Sequence, residues 1–250
     1  MSTSSVRFEA GGFDFLPGVF QYSAGVRAAP GHEIVHTRFQ SPIPLAAGFA
    51  AIAGHLAAIG RPRTAFCACE LRSPAPFTEA GFRAFNEAYV GTLTDWGIVR
   101  DGVNPIARSN VCPELDPPIE PSFYAFSYTI PSNDAAATAV VAGSGESLEG
   151  KASYAQSVVA PGDTSVDGMR RKAAHVVAMM TQRLAGLGMR PDQVSAAQVY
   201  TVFPIHALLD DPLHRSGLSA HGLVWHHARP PVIGLDFEMD VRVVRSERML

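Results

Sequence analysis

The chain has 250 residues, 47% hydrophobic and 17% charged, with a formal net charge of −3. That composition excludes a disordered chain and offers no basic footprint of the kind that displaces counterions from nucleic acid. No segment combines the length and apolarity of a membrane span, and residues 1–7 lack the pattern of a secretory leader, so a cytoplasmic protein with no nucleic-acid or membrane partner is expected.

Taken in chain order, hydrophobic periodicity predicts a strand over 19–26 and a helix over 45–59, ended by Gly60 and the Arg61-Pro62 pair. A strand over 64–71 follows, then a helix over 78–96 with Phe82, Phe85, Tyr89 and Leu93 at helical spacing. Residues 107–112 and 123–130 read as strands joined by a Pro-rich loop. The pattern then recurs: a strand over 137–142, a helix over 167–187, a strand over 194–203, a shorter helix over 204–214 interrupted by Pro212, and strands over 223–227 and 235–244. A strand–helix–strand–helix–strand–strand order read twice predicts two units. The polar turn formers at 131–135 mark their boundary. Strands alternating with helices predict mixed sheets with helices packed on one face.

Three cysteines, Cys67, Cys69 and Cys112, do not make a disulfide framework. Cys67 and Cys69 alternate on a strand and read as buried free thiols, with no neighbours to complete a metal site. Arg170, Arg171 and Lys172 read as a solvated helix face, and His175 as a core histidine.

The most informative text is Phe82-Arg-Ala-Phe-Asn86-Glu-Ala-Tyr89, followed by Ala107-Arg108-Ser109-Asn110-Val111. It resembles the RidA/YjgF family, which carries an F-x-x-V-N-x-x-Y helix ahead of a P-A-R-S-x-V strand. Tyr22-Ser23-Ala24-Gly25-Val26 looks like that family's early S-G-Q strand, and Gly143-Ser144-Gly145 like its second copy. The resemblance implies an α/β (α+β) fold of two tandem RidA/YjgF-like, chorismate mutase-like domains, 1–131 and 134–250, each a mixed sheet with two helices on one face. Such domains trimerise and bind small carboxylate-bearing substrates in clefts between neighbours. Typical members hydrolyse enamines or imines to ketones and ammonia, with no metal or organic cofactor. Relatives act on aminoacrylate or 2-aminomuconate, and divergent tandem members hydrolyse chorismate.

By the same resemblance Arg108 clamps a substrate carboxylate. The chemistry suits it, because a guanidinium stays charged and binds a carboxylate with two parallel hydrogen bonds. Asn86, near the apolar stripe of its helix, has the groups to orient an amide, a carbonyl or a water. Glu238 falls where the family's last strand carries its I-E-I-E-A glutamate. A carboxylate of tuned pKa can order the attacking water and shuttle its proton. Asn110 replaces the family's usual cysteine. With Ser109, Tyr22, Ser23 and the Trp225-His226-His227 run it completes the expected substrate-binding set; His226 and His227 point to opposite faces of a strand. Arg108 has no counterpart in the second repeat, where Leu223 matches it, and Glu238 has none in the first, where Phe123-Tyr-Ala-Phe-Ser stands. One site split between the repeats is therefore expected.

The leading reading is a hydrolytic deaminase of a small unsaturated amino acid of the 2-aminomuconate kind. The alternatives are a chorismatase-like hydrolase of a small cyclic carboxylic acid and a non-catalytic ligand-binding or stress-protective module. Apolar strand faces at Tyr124/Phe126/Tyr128 and Ala139/Val141 predict a homo-oligomer, a trimer by the resemblance.

Overall fold

The computed structural model describes residues 4–134, 136–147 and 157–250. In chain order the strands are β1 (Val6–Phe8), β2 (Phe13–Leu16), β3 (Gly25–Ala28), β4 (His32–Pro44), β5 (Phe66–Arg72), β6 (Ala107–Pro113), β7 (Ser122–Pro131), β8 (Ala139–Gly145), β9 (Ala196–Tyr200), β10 (Leu223–His226), β11 (Ala228–Arg229), β12 (Glu238–Val243) and β13 (Ser246–Met249). The long helices are α1 (Leu45–Ala58), α2 (Glu79–Asp95) and α3 (Val166–Gly186). Among the described residues no helix is long and apolar enough to cross a membrane.

Two helix starts are written locally. The Thr78 hydroxyl accepts from Gly81 N ahead of α2, and the Ser165 hydroxyl from Gly168 N ahead of α3. Each satisfies an N–H that the first helical turn leaves unpaired.

The strands form two sheets, ordered β1-β2-β3-β8-β12-β9-β10 and β11-β6-β5-β7-β4-β13. Four strands of each share one topology. In β4-β7-β5-β6 and in β8-β12-β9-β10 the first two pairings are antiparallel and the third is parallel. A parallel pairing needs a crossover. Between β5 and β6 it is α2. Between β9 and β10 the helix expected over 204–214 is only a 3-10 turn (His206–Leu208) and an irregular turn (Leu209–His214), extended at Asp211. Pro212 is the cause, since it disfavours helical angles in the residue before it.

The strands do not sort at residues 131–135. From the start of the chain, β3 pairs with β8; from its end, β11 pairs with β6 and β13 with β4. Residues 19–26, expected as the first strand of a repeat, hold a tight Val19–Tyr22 bridge and the start of β3. The topological first strand is β4, whose polar text, HEIVHTRFQSPIP, hides its periodicity.

Each sheet carries an apolar core under its helices. One gathers Phe49, Ile52, Phe66, Tyr89, Phe123 and Phe126, the other Val141, Val176, Met180, Leu184, Val199 and Phe237. The sheets meet each other through a polar layer instead: Ser109 bonds Asp240, and Arg242 bonds Glu70. Tyr124 is not on the face of Phe126 and Tyr128, as alternation predicted. Glu70 pairs with Ala125 and Leu71 with Phe123, so Tyr124 is an extra residue in β7. Its ring turns to the polar layer, 4.0 Å from the Arg72 guanidinium. Phe126, Tyr128, Ala139 and Val141 are all fully buried within the chain.

Candidate active site

Arg108 projects from β6 toward α2 and is only 3% exposed. Its guanidinium carbon lies 4.8 Å from the Tyr89 ring, 5.3 Å from Tyr22, 5.4 Å from Phe85 and 5.8 Å from Phe82. The ring quadrupoles attract the cation, yet they do not replace the hydrogen bonds that a buried charge gives up. Arg108 Nη1 has no hydrogen-bond partner among the described residues.

Two neighbours share that condition. Asn86, buried on the face of α2 that carries Phe82 and Tyr89, has an unpaired Oδ1. Asn110 stands two residues beyond Arg108 on β6, on the same face by strand alternation; its Nδ2 is unpaired, while Ser73 Oγ donates to its Oδ1 at 2.9 Å. Buried polar groups are ordinarily hydrogen-bonded, so these three, on the facing elements β6 and α2, are candidates to hold a polar ligand. α2 is walled by Val232 and Leu235, which pack on Phe82 together with Phe77, Phe85 and Val158. The second half of the chain thus closes over the helix of the first.

Glu238 opens β12 just after that wall and is buried. Gly143 makes room for its carboxyl. A Cβ at residue 143 would lie 2.3 Å from Glu238 Oε1 and 3.2 Å from Ser109 Cα. Burial pushes the Glu238 carboxyl well above the usual range, as do the negative charges of Asp240 and Glu146; the opposing pull of Arg108 and Arg183 is weaker. The protonated form of Glu238 is therefore favoured relative to an exposed glutamate. Arg108 acts on it electrostatically, so the two residues, on β6 and β12, lie within each other's field.

Behind Glu238 lies a hydrogen-bonded chain. Asp240 accepts from Ser109 Oγ at 2.5 Å, Tyr200 OH at 2.9 Å and Gln198 Nε2 at 2.9 Å, and Gln198 Oε1 meets His226 Nε2 at 2.9 Å. Burial and the charge of Glu70 raise Asp240 to about 6. Ser109 thus faces the second sheet, on the side of β6 opposite to Arg108. Its part is to tie the strand to Asp240.

Of the remaining expected residues, Tyr22 is in the cage. Ser23 is an anchor, its hydroxyl donating to Pro105 O at 3.0 Å and its N–H to Ile106 O at 2.8 Å. The contacts of the 225–227 run lie elsewhere. Trp225 Nε1 donates to Thr201 O, His227 is exposed, and His226 stacks on Tyr200 at 5.0 Å. His226 lines an open cleft of about 520 Å³ with His36, Arg38 and Glu70. Burial holds it down at about 4, so it is neutral near pH 7.

The sequence reading took Phe82, Phe85 and Tyr89 for core alone; their helical spacing is common to a core stripe and to a cage. It also took Lys172 for solvated. Arg170 and Arg171 are exposed, but Lys172 is 0% exposed and pairs with Glu146 at 3.4 Å and with Asp236. Glu146 in turn accepts the N–H groups of Asp236 and Phe237, fixing the approach to Glu238. Cys67, Cys69 and Cys112 are buried and free. Burial raises Cys69, bonded to Tyr89 OH at 3.3 Å, to about 12.

The comparisons agree with one another in sequence. The family described as 2-aminomuconate deaminase CnbZ matches residues 5–248. The chain is 50% identical over 248 residues to 2-amino-5-chloromuconate deaminase of Comamonas testosteroni, covering 98% of this chain and 99% of that protein. Among solved structures, a chorismatase superposes with a TM-score of 0.45 at 14% identity, covering 96% of this chain and 79% of its own. E. coli TdcF with bound serine gives a TM-score of 0.31 at 12% identity, covering 45% and 84%. With the family matched over nearly its whole length, the chain belongs to the 2-aminomuconate deaminase CnbZ family.

Proposed function

We propose that the protein hydrolyses a 2-aminomuconate-like enamine to the 2-oxo acid and ammonia, with no metal or organic cofactor, in one site shared by two tandem RidA-like units. The observation that carries this reading is the buried Arg108 guanidinium with its Nη1 unpaired, together with the buried, unpaired Asn86 Oδ1 and Asn110 Nδ2 on the facing elements α2 and β6. Arg108 binds the carboxylate next to the amino-bearing carbon, and Asn86 Oδ1 accepts from the amino group.

Glu238 begins protonated. It gives its proton to the conjugated carbon chain, and the enamine becomes an iminium. As a carboxylate it then takes a proton from water as the water oxygen bonds to the iminium carbon. That proton passes to nitrogen, the C–N bond breaks with its electron pair leaving on ammonia, and the carbon keeps oxygen as a ketone. One water is consumed and one ammonia released, and Glu238 recovers its proton when the carbinol hydroxyl gives up its own.

The test is a coupled measurement of ammonia and the 2-oxo diacid from 2-aminomuconate. Arg108→Lys keeps the charge but loses the planar fork, so KM rises more than kcat falls. Equimolar products with chelator-resistant rates support the reading. Absence of either product from the wild type, or full loss of activity to chelator, sinks it. Threefold assembly now rests on the resemblance alone, because the apolar faces that suggested it are covered within the chain. Light scattering at micromolar concentration decides it.

A further inference from the structure

We infer that Ser73 and Asn110 form the subsite for the far carboxylate of a diacid substrate, Asn110 by donating its amide N–H and Ser73 by fixing which end of the amide faces the pocket. The inference rests on the proposed site at Arg108 and gives that site its selectivity.

Ser73 follows directly on β5 and is fully buried, its N–H donating to Val111 O at 2.9 Å. The residue is thereby pinned to β6 on the far side of Asn110. Its hydroxyl has one proton, and that proton goes to Asn110 Oδ1 at 2.9 Å. With the oxygen end occupied, the amide presents Nδ2 elsewhere, and there Nδ2 is buried with no partner. A buried donor left unpaired costs about 1–3 kcal/mol. Arg108 Nη1 stands in the same condition on the same strand. Residues two apart on one strand face are about 7 Å apart at Cα.

β6 therefore shows two donor groups on one face, and α2 adds one acceptor, Asn86 Oδ1. The complementary ligand carries acceptor, donor and acceptor, which a carboxylate, an amino group and a second carboxylate on a short chain supply. A six-carbon diacid spans a comparable length. A mono-acid satisfies Arg108 but leaves Asn110 Nδ2 as it is. This arrangement of donors and acceptor thus favours diacids.

Unreactive ligands test this without relying on turnover. Muconate, a diacid, and sorbate, its mono-acid counterpart of equal chain length, are titrated calorimetrically into the full chain. Wild type binds muconate more tightly by roughly 10-fold or more, the worth of one hydrogen bond to a charged group. Asn110→Asp sets a carboxylate against the far carboxylate; it abolishes the preference, weakening muconate more than sorbate. Ser73→Ala frees the amide to turn and reduces the preference, and Ser73→Thr, which keeps a hydroxyl, restores it. Should Asn110→Asp fail to fold, as judged by its melting curve, the Ser73 pair decides. Equal wild-type affinity for the two ligands, or equal losses for both in the variants, overturns the inference. Arg108→Lys weakens both ligands alike, and if it weakens neither it is the site at Arg108 that fails.

Discussion

Gly143→Ala is the sharpest probe of the shared site. The added methyl would lie 2.3 Å from Glu238 Oε1, well inside any real contact, and 3.2 Å from Ser109 Cα and Cβ. The Ser109 contacts are tight but tolerable. The Glu238 contact is not, and the carboxyl, as the free end of a side chain, is what moves, by about 1 Å. Overpacking of this sort typically costs about 1–3 kcal/mol, so the variant is expected to fold. A 1 Å displacement of a reacting group costs on the order of 100-fold in rate. The expected result is therefore a melting temperature lower by about 2–12 °C, kcat down by about two orders of magnitude, and KM little changed, since the carboxylate clamp at Arg108 is untouched. Gly145→Ala is the control: its methyl would meet Leu235 Cδ1 at 3.0 Å and Phe237 O at 3.6 Å, and Glu238 is not among its nearest atoms. Steady-state ammonia release with parallel melting curves reads both. A Gly143→Ala enzyme within about 3-fold of wild-type kcat would show that the Glu238 carboxyl takes no part in the reaction.

Glu238→Gln keeps the shape and removes the proton donor, so kcat falls by roughly 10²–10⁴. In the wild type kcat/KM declines as pH rises through the raised Glu238 pKa, and a wild-type profile flat on its alkaline side would contradict the assignment. Burial alone would raise Glu70, but His36 and the guanidiniums of Arg242 and Arg72 outweigh it and hold it at about 2; burial holds His36 itself down at about 4, so above that pH the two guanidiniums are the charged partners of Glu70. A carboxyl depressed on folding stabilises above its unfolded pKa, so this stability is present above about pH 4.5 and lost as pH falls toward 2. Urea midpoints against pH should show that slope in wild type and lose it in Glu70→Gln; equal slopes refute the ion-pair account. Lys172→Met leaves Glu146 and Asp236 without their cation and should cost about 3–5 kcal/mol, a melting-point drop on the order of 10 °C in a chain this long. A drop under about 3 °C would mean that the buried pair contributes nothing.

The sequence by itself determined the elements whose signals are local. α2 and α3 are legible because a threonine and a serine cap them and an apolar stripe follows, and β5 and β7 because apolar and aromatic residues dominate their runs; β6, ARSNVCP, is legible through its motif. The twice-read element order was legible only as periods along the chain, and two of its elements, the strand over 19–26 and the helix over 204–214, form otherwise. Arg108, Asn86 and Asn110 were legible as motif residues, and the structure sets them on the facing elements β6 and α2, each with a polar atom unpaired. Tertiary structure alone decided the rest. Which strands complete which sheet is set by pairing partners far apart in the chain, so β3 on β8 and β13 on β4 carry no local mark. A one-residue bulge sent Tyr124 to the polar layer, and alternation cannot foresee a bulge. Lys172 and its neighbours Arg170 and Arg171 read alike as text. Only the arrival of Glu146 and Asp236 from distant segments makes Lys172 a buried ion, because a charge is buried where a partner meets it and not where its own neighbours are polar.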